Sequence, residues 1–140
     1  MIAVDTNLLA RFYCDDPDDA EAKRQRPRAR RVMLESAAIF VPLTVILEFE
    51  WVMRGFYEVE AETFCQTAEH LLGMPHVTVE RWDAVKDAVD LHRQGLDFAD
   101  ALHWVCSAAC SKFATFDDRG FVRRAKRLKL IPEVVVPASF

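Results

Sequence analysis

The stretch Ile2-Ala3-Val4-Asp5-Thr6-Asn7 decides how the rest of the chain is read. Ile2 to Val4 form a short apolar run with β-branched residues, which favours a strand. A carboxylate, a threonine and an asparagine follow, and the last two take over backbone hydrogen bonds in turns and helix N-caps. Ligands of open parallel sheets collect at the carboxyl ends of the strands. Asp5 stands at such an end and is the first candidate for a site.

Outward from this strand, hydrophobic patterning predicts strands and helices in alternation. Asn7 to Tyr13 reads as a helix capped by Asn7 and ended by Asp15-Asp16-Pro17. Pro17 with Asp18, Asp19 and Glu21 reads as the next helix start, and Pro27 should kink or divide that helix. Ile39-Phe40-Val41 reads as the second strand. Thr44 opens a helix that is apolar nearly all round, and Ala61 to Leu72 is an amphipathic one. His76 to Val79 is a strand, Trp82 to Gln94 a helix with Gly95 as its C-cap, and Phe98 to Ala109 a helix with little polar surface. Lys112 to Thr115, a basic helix from about Gly120 to Lys129, and Val134 to Val136 complete the series. The expectation is one α/β domain over residues 1–140, a three-layer α/β/α sandwich with a central parallel sheet of about five strands.

Composition sets the outer bounds. A chain of 140 residues, 51% hydrophobic and 29% charged, can bury a core without staples. Its four cysteines form no Cys-x-x-Cys and nothing at the N-terminus resembles a signal peptide, so a reducing cytoplasmic location is expected. The longest apolar stretch, Ala37 to Leu47, contains Pro42 and Thr44 and is too short to cross a bilayer, so no membrane partner is expected. The net charge of -4 weighs weakly against nucleic acid. Its distribution matters more: six of the nine residues from Lys23 to Arg31 are basic, and Arg119, Arg123, Arg124, Lys126, Arg127 and Lys129 form a second cluster. Lys23, Arg24, Arg119 and Arg123 are the candidates for phosphate contacts, against the plainer reading of solvated helix faces.

The acids form the chemical signal. Asp5 and Asp117 close two strands, Glu48 lies one turn into a helix that follows a strand, and Asp97 and Asp100 begin another helix. In a parallel sheet all these places share one edge. Acids converging there repel one another unless cations intervene, and the repulsion should raise their folded pKa values. Hard oxygen donors without neighbouring His or Cys suit Mg2+ or Mn2+. Two such ions roughly 3.5–4 Å apart activate water for in-line attack on phosphorus, so the chemistry read from the residues is phosphodiester hydrolysis. Thr6, Asn7 and Thr115 would hold the carboxylates or position the water.

Each acid has a plainer role to set beside this one. For Asp5 it is a cap of the first helix, although Thr6 and Asn7 look better placed to do so. For Asp97 or Asp100 it is service to a helix dipole, and for Asp117 and Asp118 an Asx turn before Gly120. Glu48 competes with Glu50 two residues on, on another face of the helix. His103, Cys106 and Cys110 share helical spacing but lack an obvious fourth zinc ligand, and a buried helix accounts for them. Trp51, Trp82, Trp104 and the phenylalanines are expected in the core.

Four segments carry a family resemblance: Val4-Asp5-Thr6-Asn7, Leu43 to Val52, Gly95 to His103, and Ala114-Thr115-Phe116-Asp117-Asp118. In this order and spacing they resemble PIN domains, and most of all the ribonuclease toxins of bacterial VapBC toxin–antitoxin pairs. The likeness runs from Met1 to about Val136. It implies a PIN fold with Asp5, Glu48, Asp100 and Asp117 as catalytic, metal-binding acids, Asp97 as an accessory metal ligand and Thr115 as a polar helper. It further implies a Mg2+- or Mn2+-dependent endoribonuclease, a homodimer, and a cognate VapB-like antitoxin that lays a segment across the acidic groove. Pro27 within the basic stretch and Asp118 beside Asp117 depart from the family pattern. The alternatives are a catalytically idle PIN module acting through protein contacts and a related metal-dependent DNA nuclease. A receiver domain fits poorly, because Asp5 has no adjacent acid.

Overall fold

A computed structural model describes residues 1–138 of the chain. Three short strands open the architecture: β1 (Ile2–Ala3), β2 (Ile39–Val41) and β3 (Val77–Val79). They form a parallel sheet in the order β1-β2-β3, with Ile2 opposite Ile39 and Ile39 opposite Val77. Helices α1 (Thr6–Tyr13), α2 (Ala20–Glu35), α3 (Leu43–Gly55) and α4 (Ala61–Gly73) occupy the connections. Each buries one stripe: Leu9, Ala10 and Phe12 on α1, Ala22, Ala29 and Met33 on α2, Ile46, Phe49 and Met53 on α3, and Phe64, Cys65, Ala68 and Leu71 on α4. α1 packs on both α2 and α3. Phe49 lies 5.9 Å from Tyr13 and 6.2 Å from Phe64, centroid to centroid, so aromatic contacts fill the space between these helices.

Helix α5 (Trp82–Arg93) buries Ala84, Val85, Ala88 and Val89, a stripe at helical spacing. It is closed by Gly95, whose φ of 106° is a conformation that side chains disfavour. Helix α6 (Phe98–Val105) follows, then β4 (Lys112–Ala114), a π-helical turn over Asp118–Val122, α7 (Arg123–Arg127) and β5 (Glu133–Val135). β4 and β5 pair in parallel, with Phe113 opposite Val134. Phe121, Ala125 and Val134 are buried beside this pair, and the Phe113 and Phe121 rings lie 5.2 Å apart. Backbone contacts divide the chain into two compact units, Met1–Val85 and Lys86–Phe140. Among the described residues no helix is long and apolar enough to cross a membrane.

The mixed α/β class and the parallel pairing agree with the sequence, but the expected sheet of about five strands is smaller. The five strands pair as three and two. Several local expectations change for identifiable reasons. α2 runs unbroken through Pro27 and starts at Asp19, whose Oδ1 accepts from the Glu21 and Ala22 amides. Pro27 and Lys23 are both exposed, so the proline lies on the solvent side of α2. α6 stops at Val105, not Ala109: the Ser107 amide turns back to the Trp104 carbonyl and its hydroxyl donates to His103 O at 2.8 Å. Cys106 and Cys110 therefore lie exposed in the following turn. Trp51 and Trp82, expected in the core, are 65% and 60% exposed, and Phe56 and Phe116 are also on the surface.

Candidate active site

In the first unit the site residues are set by the ends of β1 and β2. Asp5, not Asn7, caps α1: its Oδ1 accepts from the Leu8 amide at 2.9 Å. The carboxylate is exposed, and Oδ2 accepts no hydrogen bond among the described residues. Thr6 is buried at the first position of α1, and its hydroxyl donates to Glu48 Oε1 across to α3. Glu48 and Glu50 diverge from this point. Glu48 is exposed and held by Thr6, whereas Glu50 is buried and takes Arg54 one turn on, Nε to Oε1 at 3.0 Å. The pair lies two residues apart, on different sides of one helix. The first amide of α3, on Leu43, is satisfied from outside the helix by Glu80 Oε1 at 2.8 Å, because Pro42 at the cap position offers no side-chain acceptor. Asn7 is exposed and lines a cleft of about 400 Å³ together with Thr6, Arg11, Glu48 and Tyr57.

In the second unit three acids stand within electrostatic reach of one another. Asp97 caps α6 and its Oδ1 accepts from the Asp100 amide at 3.0 Å. Asp117 caps the π-helical turn, accepting from the Gly120 amide at 2.9 Å, while its own amide donates to Thr115 Oγ1 at 3.1 Å. Thr115 thereby orients Asp117 through the backbone. Burial pushes Asp100 up to about 6, and the charges of Asp97 and Asp117 add to the rise. His103 and Arg124 oppose it. Asp118 is absent from that set and borders instead a cleft with Lys126, Lys129 and Val134.

Gly120, read from the sequence only as the residue after an Asx turn, is the neighbour that shapes the surroundings of Asp117. A Cβ there would lie 2.6 Å from Asp117 Oδ2 and 2.7 Å from Oδ1, so the carboxylate occupies the space a side chain would need. The only signal available in sequence is the Asp-x-x-Gly spacing of an Asx turn. Of the basic candidates, Lys23, Arg24, Arg119 and Arg123 are all exposed. Arg26 in the first cluster pairs with Asp15 at 2.9 Å.

The chain matches the family model of the PIN domain over residues 2–127, a span that takes in every acid described above. This chain belongs to the PIN domain family. No curated protein and no solved structure matches it. PIN domains are in general metal-dependent nucleases, so the chain has the fold of a hydrolase acting on nucleic acids.

The donors of this PIN domain fit a hard divalent cation in kind. They are carboxylates, several with one oxygen fixed by a backbone amide, and Asp100 is raised to about 6 by burial first and by the charges of Asp97 and Asp117 after it. No three His, Cys, Asp or Glu side chains among the described residues are gathered into a ready-made cage.

Proposed function

We propose that this PIN domain is a Mg2+- or Mn2+-dependent endoribonuclease of the VapC toxin type, acting as one domain on RNA phosphodiester bonds. The observation that carries the reading is Asp100, whose carboxyl is raised to about 6 by burial and then by the charges of Asp97 and Asp117, so that a cation placed beside it would be favoured. Asp5, Glu48, Asp100 and Asp117 are the catalytic, metal-binding acids of the proposal, and Asp97 supports them. When bound, the cation supplies charge neutralisation at the phosphate for in-line attack by water.

The chain's own residues prepare that attack. Amides of Leu8, Asp100 and Gly120 fix the carboxylates of Asp5, Asp97 and Asp117, and the Thr6 hydroxyl fixes Glu48, so little motion has to be frozen when the substrate arrives. Thr115 does the same at one remove. Exposed Lys23, Arg24, Arg119 and Arg123 offer cations to the RNA backbone. A cognate VapB-like antitoxin, a homodimeric assembly and a cytoplasmic location complete the proposal. Cys14, Cys106 and Cys110 are free thiols, which suits a reducing compartment.

The test is cleavage of a structured cellular RNA by the purified chain with Mn2+, with a chelator, and with DNA of the same sequence. Cleavage of RNA that needs the metal and disappears in Asp117→Asn supports the proposal. Undiminished cleavage by that variant, or cleavage of DNA alone, overturns it.

A further inference from the structure

We propose that the cleft between α1 and the end of α3 is a docking site for one unstacked nucleotide of a single-stranded RNA. The inference rests on the ribonuclease reading and narrows it to the strandedness of the substrate. With about 400 Å³ the cleft has the size of a small-ligand pocket. Its walls are Asn7, Arg11, Glu48, Val52, Phe56 and Tyr57.

Two features match the two halves of a nucleotide. Arg11 is a cation with no carboxylate partner among the described residues: Nε donates to Gln25 Oε1 at 2.8 Å and Nη1 to the Tyr57 hydroxyl at 3.0 Å. These bonds hold the guanidinium in place and leave Nη2 to a phosphate oxygen or a base edge. Beside it stands an aromatic wall. Phe56 is 68% exposed, and its ring is 4.8 Å from that of Tyr57 at 76°.

An exposed large ring costs the free protein water contact, and a base with a free π-face can cover it. A base inside a duplex has both faces occupied, so the ligand must be single-stranded or looped out. The carboxylate in the lining is Glu48, held there by Thr6. A nucleotide seated in the cleft therefore lies beside one of the acids of the proposed reaction.

The experiment measures binding in the presence of a chelator, where cleavage plays no part. The probe is a ten-nucleotide single-stranded RNA carrying one 2-aminopurine, followed by anisotropy and by quenching of the 2-aminopurine. Phe56→Ala and Tyr57→Ala should each lower affinity about five- to a hundredfold, the range of one lost base stack. Both should abolish the quench, and the corresponding duplex should bind equally to all variants. Tyr57→Phe, which keeps the ring, should bind within about twofold of the unaltered chain, separating stacking from loss of the Arg11 hydrogen bond.

Equal affinity of the alanine variants, or no quench with the unaltered chain, overturns the proposal. So does a change of oligomeric state in those variants without a change in RNA binding, which would make the face a protein contact. The two readings fail separately. Quenching without any cleavage refutes the nuclease and keeps the cleft, whereas cleavage with no effect of Phe56→Ala or Tyr57→Ala on binding does the opposite.

Discussion

The acids of the first unit and those of the second are held by different physics. Asp5 and Glu48 are each tied by one hydrogen bond from a neighbouring donor, the Leu8 amide and the Thr6 hydroxyl. Asp97 and Asp117 also use backbone donors, the amides of Asp100 and Gly120, but burial and then the charges of these two acids lift Asp100 to about 6. The first arrangement orients its carboxylates at little electrostatic cost. The second stores repulsion that a cation can relieve. Carboxylates at helix starts thus serve twice: one oxygen completes the helix and the other remains for a ligand.

The largest expected effect tests whether the quieter pair belongs to the reaction at all. Asp5→Asn keeps the cap but removes the charge, and cleavage of RNA should fall by about 10³-fold while circular dichroism stays unchanged. Activity near that of the unaltered chain would separate Asp5 from the chemistry and reduce it to a cap. Next in size is the contrast within α3. Glu50→Ala removes the buried partner of Arg54 and should lower stability by about 2 kcal/mol, less than for a fully buried pair because Arg54 is 56% exposed. Denaturant titration reads the loss. Glu48→Gln should leave the midpoint nearly unchanged and lose activity instead, and the reverse pattern would exchange the two glutamates.

Gly120→Ala probes the crowded side of the comparison. The new methyl group displaces the Asp117 carboxylate and breaks its bond to the Gly120 amide, at a cost of about 1 kcal/mol, the usual value of a cap. Cleavage should drop about ten- to a hundredfold, as when a group that orients a metal ligand is altered. A rate and a melting temperature equal to those of the unaltered chain would show that the carboxylate has room to move.

The smallest effect concerns Asp100 without metal. Its folded pKa of about 6 lies above the unfolded value of about 3.9, so the unfolded chain releases the proton first as pH rises. Stability then falls between those two values, and the penalty is complete above pH 6. Asp100→Asn should remove this slope and raise the stability of the metal-free chain at pH 7 by about 1 kcal/mol, after discounting for solvent screening around a half-buried group. Thermal melts at pH 4 and pH 7 measure it, and a loss at both would contradict the repulsion. Added Mn2+ should reverse the gain.

How far the sequence could be read depends on the range of the interactions concerned. Strands at Ile39–Val41 and Val77–Val79, the helical stripes, and the Gly95 stop follow from local patterning, which the fold keeps. The positions of the acids after strands and at helix starts are equally local facts. Pro27 does not divide α2 as its sequence allowed: it lies on the exposed side of the helix, and exposure is a tertiary property. Trp51, Trp82, Phe56 and Phe116 misled because hydrophobicity says what a side chain prefers, and only the completed packing says which ones remain outside.

The sequence by itself determined the α/β alternation, the parallel pairing and the order of the carboxylates, since backbone periodicity and turn chemistry act over a few residues. Tertiary structure alone decided that Glu48 faces Thr6 while Glu50 turns to Arg54, that Asp5 is the cap, that Gly120 must stay bare beside Asp117, and that the strands pair as three and two. Thr6 and Glu48 stand 42 residues apart, so no short window contains both; Asp5, Glu50 and Gly120 meet their partners within four residues, but which of the local options each takes depends on the packing around it.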